Sequence, residues 1–415
     1  MRSDLPRSEP GPAGRLQAVL TPVIPEISAL VRATPGCVSL AQGMVRWGPP
    51  PGVAAAVKEA LAEEAQAAAM HRYGAMAGDP ELLAAIRQEL SSTERRGGPL
   101  DLEGAQLLVT AGSNMAFNAI AQVITDPGDQ VIVPLPYYFN HVMAVQLAGG
   151  VAVPVDAGLV LDPEVLAAAV TPRTRAIVTV SPGNPSGVVQ PPEVLAAINR
   201  LCAQRGLFHL HDEAYEHFVH GATPHWSPGS LPGAAAHTVS LFSLSKAYGM
   251  AGWRVGYAVV PEALMAGIAQ VQDTVLISPP RLTQRAAVAA LTAGSDWCRP
   301  RVDALGALQQ QLVDAVAAAG RRGLPVRLLA EPDGAFYGLL ALEPAASARL
   351  TRSGLDARGL MRQLAAQHRV ATVSGDAFGL DGHVLRLSTG MVDGAELAEA
   401  LQRLLGGIDA ALAGA

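Results

Sequence analysis

Lysine is almost absent from this sequence. Of the 30 basic residues in the 415-residue chain, only Lys58 and Lys246 are lysine, and the others are arginine. Arginine carries a permanent charge, whereas lysine offers a primary amine that can lose its proton. The chain therefore uses arginine wherever charge alone suffices, and each lysine raises the question whether amine chemistry requires it.

Cysteine, aromatic residues and long apolar runs are also scarce. Cys37, Cys202 and Cys298 are far apart and form no C-x-x-C pair, which argues against a disulfide framework or a zinc site and favours a reducing compartment. Aromatic residues make up only 4%, which argues against extended stacking platforms. The most apolar stretch, residues 142–155, is too short to span a bilayer.

The charge balance and the N-terminal residues further limit the partners and the location that we expect for this protein. The net charge of −6 provides no basic field for nucleic acid or an anionic membrane, so we expect neither partner. Residues 1–15 are rich in Pro, Gly and Ser and lack the apolar segment of a signal peptide, which predicts a disordered tail and a cytoplasmic protein. Half of all residues are hydrophobic, which predicts a folded chain with a large core.

Short apolar runs alternate with helical patterns along the middle of the chain. Near-continuous apolar runs are typical of strands buried on both faces. The predicted strands are 107–110, 130–134, 151–156, 176–181, 207–211, 239–243 and 255–260, and the predicted helices are 80–90, 114–124 and 193–205. This pattern predicts an α/β fold with a mostly parallel sheet of seven strands.

The pattern changes near residue 295. A long helix is predicted over 301–319, followed by short β-rich runs at 326–329, 334–341 and 384–388. The last helix has a stripe of leucines on one face. We expect this region to form a second, smaller α+β domain.

Chemically active residue types follow the predicted strands. Lys246 lies just past a strand in Ser243-Leu244-Ser245-Lys246, and Arg254 follows in G-W-R-V-G. Asp212 and Tyr215 stand at the end of another strand in D-E-A-Y. Open α/β sheets bind ligands at the carboxyl ends of their strands.

Two further segments also lie just after predicted strands. One is S-P-G-N-P-S-G, which contains Asn184, and the other is Gly112-Ser113-Asn114 at the start of a predicted helix. Each segment alone has an ordinary explanation, since Asn-Pro is common in turns and small polar residues cap helices. Their joint occurrence in this order indicates one shared site.

Together, the S-L-S-K and G-W-R-V-G segments with N-P-S-G and D-E-A-Y resemble the class I/II aminotransferases, which are fold type I pyridoxal 5′-phosphate (PLP) enzymes. The resemblance covers roughly residues 35 to 410. It implies a large PLP-binding domain over residues 51–295, a small domain over 296–415, and an N-terminal arm, residues 16–50, that contributes to the small domain.

The resemblance assigns the cofactor contacts residue by residue. Lys246 forms the Schiff base with PLP and then moves the substrate proton, while Asp212 keeps the ring nitrogen protonated. Asn184 and Tyr215 donate to the phenolic oxygen. The phosphate is bound by a helix N-terminus, an arginine and hydroxyls, which are Gly112, Ser113, Asn114, Arg254, Ser243 and Ser245.

Aromatic residues complete the implied site. Tyr138 aligns with the aromatic residue on the ring face of the cofactor, and His141 would then support Asp212; the alternative is that both are ordinary core residues. Tyr73, in a segment resembling Y-x-x-x-x-G-x-P-x-L, would reach the phosphate in the neighbouring subunit. This implies a homodimer with shared active sites, whereas the alternative is a tyrosine in an ordinary loop.

The substrate contacts come from both ends of the chain. Arg386, in an R-x-S segment, would bind the α-carboxylate as a planar fork, and Gly43 would let the backbone approach the same group. The segment departs from the family at Ala41 and in Met44-Val45-Arg46-Trp47. Trp47 would lie at the side-chain pocket, or else would anchor the arm. Histidines around the Asp212 strand are expected to have packing or surface roles rather than to bind a metal.

These residues predict a PLP-dependent aminotransferase that moves the amino group of an L-amino acid to a 2-oxo acid by a ping-pong mechanism. The segment before Pro279-Pro280 lacks the arginine of dicarboxylate-specific relatives, although Arg281 follows it. The Ser39–Pro50 run is most similar to methionine and aromatic aminotransferases, which favours a neutral, apolar or aromatic donor.

Two alternatives share the same residues. A PLP-dependent lyase, oxidase or cyclase would retain Lys246, Asp212, Asn184 and Arg254, and only its independence from an added 2-oxo acid would reveal it. A PLP-sensing regulator would require an N-terminal DNA-binding domain, and fewer than 40 residues precede the enzyme-like region.

Overall fold

The computed structural model describes residues 11–62, 64–95 and 97–415, without the side chains of residues 65 and 66. The β-strands are, in chain order, β1 (Val38–Ser39), β2 (Ala105–Thr110), β3 (Gln130–Pro134), β4 (Val151–Val155), β5 (Thr174–Val180), β6 (Phe208–Asp212), β7 (Thr238–Ser243), β8 (Gly256–Pro261), β9 (Val326–Leu328), β10 (Tyr337–Leu342), β11 (Val370–Ala371), β12 (Val373–Ser374) and β13 (Val384–Ser388).

The α-helices are, in chain order, α1 (Val23–Ala33), α2 (Pro51–Ala62), α3 (Glu64–Met70), α4 (Pro80–Ser91), α5 (Ser113–Ile124), α6 (Phe139–Leu147), α7 (Pro163–Ala168), α8 (Pro192–Arg205), α9 (Met265–Val275), α10 (Arg281–Arg321), α11 (Pro344–Arg352), α12 (Ala357–His368) and α13 (Gly394–Ala413). Within the described residues, no helix combines the length and apolar character that a membrane crossing requires.

A sheet of seven strands forms the centre of the molecule. Its order is β2-β8-β7-β6-β5-β3-β4. The neighbours from β7 to β4 run parallel, while β8 is antiparallel to both β7 and β2. β8 returns beside β7 without an intervening α-helix, which explains its direction. The predicted α/β fold with a mostly parallel seven-stranded sheet is confirmed.

The register of this sheet determines where the polar segments meet. Val180 at the end of β5 pairs with Asp212 at the end of β6, and Asp212 pairs with Leu241 of β7. Because these strands are parallel, the loops that follow them leave from one edge. The loop after β5 contains cis peptide bonds before Pro182 and Pro185. The edge therefore brings Asn184, Asp212 and Lys246 together.

A second sheet lies in the C-terminal part of the chain. It is antiparallel with the order β12-β13-β10-β9, and β1 pairs in parallel with β11. α1 packs with α12, and their side chains share an apolar cluster with α13. β10 begins at Tyr337 rather than at the predicted residue 334, because Ala335 has a positive φ of 52° that interrupts an extended chain.

Two helical segments, which together are labelled α10, meet at Gly294 near the predicted domain boundary. α10 continues from Arg281 to Arg321, with an interruption at Gly294, whose φ is 68° and ψ is −177°. The predicted helix over 301–319 is its second part. Of the tail predicted over residues 1–15, residues 1–10 lie outside the described residues, and Gly14–Ala18 forms a short 3₁₀ helix.

Candidate active site

A cavity of about 100 Å³ lies at the carboxyl edge of the central sheet. Except for Val180 and Ala214, every lining residue is one that the sequence analysis assigned to the cofactor. The lining consists of Ser113, Asn114, Tyr138, Val180, Asn184, Asp212, Ala214, Tyr215, Ser243, Ser245, Lys246 and Arg254. Side chains from segments more than 100 residues apart therefore converge on one space.

Lys246 lies three residues beyond the end of β7. Its Nζ donates a hydrogen bond to the carbonyl oxygen of Gly43 in the N-terminal segment. Burial lowers the pKa of Lys246 to about 8, and the nearby guanidinium groups of Arg386 and Arg254 act in the same direction. A significant fraction of this amine is therefore neutral near physiological pH, as a nucleophile or base requires.

Asp212 is held by contacts on both of its carboxylate oxygens. Oδ2 lies 3.0 Å from Nε2 of His141, and Oδ1 accepts a hydrogen bond from the backbone N–H of Ala214 at 3.0 Å. His141 is itself fixed by stacking on Phe117, with ring centroids 4.2 Å apart. The carboxylate is thus oriented toward the cavity, where it can face a protonated ring nitrogen.

Two donors lie beside Asp212. Asn184 Nδ2 donates to the hydroxyl oxygen of Tyr215 at 3.5 Å, and that hydroxyl lies 2.8 Å from the hydroxyl of Tyr337. Burial raises the pKa of Tyr215 well above its usual value, and the neighbouring Tyr337 adds to the effect. Tyr215 therefore keeps its proton and remains a hydrogen-bond donor.

The N-terminus of α5 forms an anion site with Arg254. Gly112 caps the helix with a φ of 86°, and a Cβ there would lie 2.5 Å from Arg254 Nη2. A Cβ at Gly256 would lie 2.8 Å from the backbone nitrogen of Ser113, so glycine keeps this cradle open. Among the described residues, no carboxylate forms a salt bridge with Arg254. Helix N-terminus, guanidinium and the hydroxyls of Ser243 and Ser245 suit a phosphate.

Tyr138 forms another wall of the cavity. Its hydroxyl oxygen accepts hydrogen bonds from Asn140 at 2.7 Å and from Asn114 at 3.4 Å. Its ring meets the His141 ring edge-on, with an interplanar angle of 88°. Burial raises the pKa of this phenol. A planar ligand facing Asp212 would therefore have the Tyr138 ring, held in place by these contacts, against one of its faces.

Arg386 is 2% exposed and belongs to β13. Nη1 donates to Asn184 Oδ1 at 3.0 Å, and Nη2 donates to the carbonyl oxygen of Ala41 at 2.5 Å. The guanidinium carbon lies 4.6 Å from the centre of the Tyr337 ring. Its buried Nε has no hydrogen-bond partner within the described part of the chain. A buried guanidinium with a free donor is suited to a carboxylate.

The N-terminal segment reaches the same place. A Cβ at Gly43 would lie 2.7 Å from the Tyr337 hydroxyl, so this backbone approaches the site closely. Trp47 Nε1 donates to the carbonyl oxygen of Ala247 at 2.9 Å, which places the indole beside Lys246. Tyr73, in contrast, is 77% exposed and does not line the cavity of its own chain.

Tyr337 is the main residue that the sequence analysis did not identify. It is fully buried at the start of β10, opposite Ser388 of the strand that carries Arg386. The available signal was a tyrosine within the strand predicted over 334–341, because a buried phenol normally requires a hydrogen-bond partner.

The histidines near the Asp212 strand lie outside the cavity. His209 and His211 are buried and share the hydroxyl of Thr179, at 2.8 and 2.6 Å. Burial lowers the pKa of both imidazoles, so they remain neutral. They act within the packed network between β5 and β6, together with Asn199.

Sequence comparison finds matches to one family over most of the chain. Residues 35–404 match the family Aminotransferase class I and II. The chain is 37% identical over 339 residues to an aspartate/prephenate aminotransferase of Thermus thermophilus, covering 80% of this chain and 82% of that protein. It is 32% identical over 398 residues to an aromatic aminotransferase of Arabidopsis thaliana, covering 94% of each.

Solved structures of aminotransferases also superpose on this chain over most of its length. The aspartate aminotransferase from Thermus thermophilus with maleate superposes with a TM-score of 0.83 at 30% identity, covering 96% of this chain and 100% of that chain. An aromatic aminotransferase from Pyrococcus horikoshii gives 0.79 at 27% identity, covering 92% and 99%.

Proposed function

Because the chain belongs to the aminotransferase class I and II family and is an aminotransferase, we propose that the cavity around Lys246 is its active site and that PLP is its cofactor. The observation that carries this proposal is the buried, partly neutral amine of Lys246 beside Asp212 and the Arg254 anion site. When bound, PLP supplies an aldehyde that reacts with amines and a ring that withdraws electrons from the α-carbon.

Each part of the cavity then has a defined task. The α5 N-terminus and Arg254 would bind the phosphate, with Ser243 and Ser245 as additional donors. Asp212, held by His141, would pair with the protonated ring nitrogen, and the Tyr138 ring would pack against the cofactor. Tyr215 and Asn184 would donate to the phenolic oxygen.

The chain's own groups also handle the substrate. Arg386 binds the α-carboxylate, which places the α-carbon near Lys246. Lys246 would take the proton from that carbon onto Nζ, which requires a neutral amine. An amino acid enters and its 2-oxo acid leaves before a second 2-oxo acid binds, so the substrates alternate on one site.

We further propose a neutral donor, apolar or aromatic. Relatives named for aspartate, prephenate, aromatic and arginine substrates give no single preference. In this chain, Arg281 is committed to Asp79 at 3.2 Å and to the carbonyl oxygen of Ala69 at 2.9 Å. Arg46 is paired with Asp393 and Glu396 at the N-terminal end of α13. Neither arginine is available within its own chain for a side-chain carboxylate.

A homodimer would explain the exposed residues near the site. Tyr73 is 77% exposed, and Val275 and Ile277 are 59% and 43% exposed. The hydrogen bond from the Gly74 N–H to Ser278 Oγ, at 3.2 Å, holds the two segments together. A second copy covering them would let Tyr73 reach the partner's phosphate site. Light scattering should give a dimer, and a fully active monomer would contradict the proposal.

The decisive experiment follows the visible absorbance of the PLP-loaded protein while single L-amino acids are added without an acceptor. Conversion to the pyridoxamine spectrum, reversed by a 2-oxo acid, would establish transamination and identify the donor class. Methionine and phenylalanine should convert the cofactor faster than aspartate. Release of ammonia or consumption of oxygen without this conversion would instead indicate a lyase or an oxidase.

Lys246→Ala provides the matching test of the site. It should abolish both turnover and the absorbance of covalently held cofactor, because Lys246 is the only lysine among the residues that line the cavity. Lys58→Ala, which changes the only other lysine of the sequence, should leave both unchanged. Retention of both signals in Lys246→Ala would reject the assignment.

A further inference from the structure

A buried cluster of charged side chains lies behind the segment that carries Asp212 and Tyr215. Arg95 Nη2 donates to Glu216 Oε2 at 2.6 Å and to Glu213 Oε2 at 3.3 Å. The side chains of Arg95 and Glu213 are 2% and 0% exposed. Charges at this depth remain ionised only when they are closely paired, so the cluster depends on Arg95.

Two further side chains of the cluster contact the carboxylate of Glu213. His225 Nε2 lies 3.1 Å from Glu213 Oε2, and Ser227 Oγ donates to Glu213 Oε1 at 2.7 Å. Ligand atoms of Glu213, Glu216 and His225 lie within 4.8 Å of one another, as in a metal site. However, the Arg95 guanidinium already bonds both carboxylates. The cation of this cluster is therefore the arginine, and we assign no metal to it.

The spacing of the segment links this cluster to the active site. Asp212 and Tyr215 line the cavity, and the residue that follows each of them, Glu213 or Glu216, turns away to Arg95. The backbone N–H of Glu216 also donates to the carbonyl oxygen of Glu213 at 3.0 Å. A displacement of either glutamate therefore displaces its neighbour in the cavity.

Arg95 also touches the strand that leads to Lys246. Its guanidinium carbon lies 5.3 Å from the centre of the Phe242 ring in β7. The backbone N–H of Glu213 donates to the carbonyl oxygen of Leu241 in the same strand at 2.8 Å. One buried guanidinium thus contacts both segments that supply the reacting groups.

We propose that Arg95 is a positioning residue, which fixes Asp212 and Tyr215 in the active site through Glu213 and Glu216. This inference rests on the proposed function, in which those two residues hold the cofactor. Arg95 contacts neither cofactor nor substrate. Its effect is transmitted through the backbone of residues 212–216.

The test compares Arg95→Lys and Glu216→Ala in the PLP-loaded enzyme. A single ammonium cannot reproduce the arginine fork, and Glu216→Ala removes the tether beside Tyr215. Per cofactor-loaded site, kcat should fall on the order of 10- to 100-fold, as small displacements of reacting groups produce. The pH midpoint of the cofactor absorbance should also shift, because the Asp212 carboxylate moves. Glu216→Gln, which keeps an acceptor for Arg95, should restore part of the loss.

Asn199→Ala is the matched control. It removes buried hydrogen bonds to His209 and Thr238 at the opposite ends of the same strands. It should lower the melting temperature while kcat per loaded site and the absorbance midpoint stay at the wild-type values. If Glu216→Ala behaves like this control, the cluster is merely structural and the proposal is overturned.

The outcome also separates this inference from the proposed function. If the wild-type protein does not bind PLP or transaminate, the proposed function fails before any variant is compared. If the wild type transaminates and both Arg95→Lys and Glu216→Ala keep wild-type kcat and absorbance midpoint, only the role of Arg95 fails.

Discussion

The hydroxyl oxygens of Tyr215 and Tyr337 lie 2.8 Å apart, although 122 residues separate the two tyrosines in the sequence. Tyr215 belongs to the segment after β6 of the central sheet, and Tyr337 begins β10 of the second sheet. The Tyr337 ring also supports Arg386. This contact therefore joins the group proposed to bind the cofactor oxygen to the one proposed to bind the substrate.

Tyr337→Phe should weaken amino-acid binding more than cofactor binding. The variant keeps the ring beneath Arg386 and removes only the hydroxyl, so the expected loss is that of one hydrogen bond, about 0.5–1.5 kcal/mol. We expect KM for the amino acid to rise several-fold and kcat to fall modestly, as measured by steady-state kinetics. Tyr248→Phe is the control, because the buried Tyr248 hydroxyl has no hydrogen-bond partner in the described residues. If Tyr337→Phe and Tyr248→Phe give the same KM and kcat, the Tyr337 hydroxyl has no role in binding the amino acid.

Arg386→Lys should separate substrate binding from cofactor binding. A lysine keeps the charge but cannot bind a carboxylate through two parallel N–H groups. Loss of such a charged contact costs about 1.5–3 kcal/mol, so we expect the dissociation constant for the amino acid to rise about 10- to 100-fold.

Titration of the cofactor absorbance with amino acid measures this constant, and PLP affinity should change much less. The control is Arg46→Lys, which alters the exposed ion pair between Arg46 and Asp393. It should leave the dissociation constant for the amino acid unchanged. An unchanged amino-acid affinity in Arg386→Lys would remove Arg386 from the site.

Residues that line the cavity were predictable where each follows a strand, and contacts between two distant segments were not predictable. Lys246, Asp212 and Asn184 were identified because each stands in a distinctive segment at a strand's carboxyl end, and parallel strands bring such ends together. Tyr337 and Arg95 offer no such local signal. Their proposed roles depend on contacts with Tyr215 and Glu213, and those contacts form only in the folded chain.

The helices and strands, like the cavity residues, were predictable only where the local sequence carries a clear pattern. The strands of the central sheet were predicted within about two residues, because apolar runs between turn residues mark buried strands. The sequence analysis did not predict the helical segment over residues 281–293, which Gly294 separates from the second segment of α10. Gly294 adopts a φ of 68°, a conformation that glycine reaches without the steric cost that a Cβ imposes.

Gly112→Ala should weaken PLP binding in the folded protein. The added Cβ would lie 2.5 Å from Arg254 Nη2, so the guanidinium must leave the N-terminus of α5. The phosphate then loses one of its two sources of positive charge. We expect the dissociation constant for PLP to rise at least tenfold, about the effect of one lost charged hydrogen bond.

Gly206→Ala controls for backbone strain in this experiment. Gly206 caps α8 with a φ of 66°, and nothing lies within 4 Å of its Cβ position. It should lower thermal stability by about 1 kcal/mol and leave the PLP dissociation constant unchanged. Equal loss of PLP affinity in both variants would show that strain, and not the anion site, causes the effect.

The reaction of the cofactor-free protein with PLP should depend on pH in a way set by Lys246. Burial lowers the pKa of this lysine to about 8, and only the unprotonated amine attacks an aldehyde. Below pH 8 the protonated form predominates, so the rate should rise about tenfold per pH unit. Above pH 8 the amine is mostly neutral and the rate should level. Stopped-flow absorbance measures this profile.

One variant and its control test whether the charge of Arg386 contributes to this pKa. The positive charge of Arg386 favours the neutral amine, so Arg386→Met should raise the pKa of Lys246 and move the levelling point to higher pH. Lys58→Ala changes an exposed lysine on α2 and should leave the profile as it is. An ordinary solvent-exposed lysine titrates near pH 10.4. A rate that keeps rising through pH 9 in the wild-type protein would therefore mean that Lys246 is not buried in the way described.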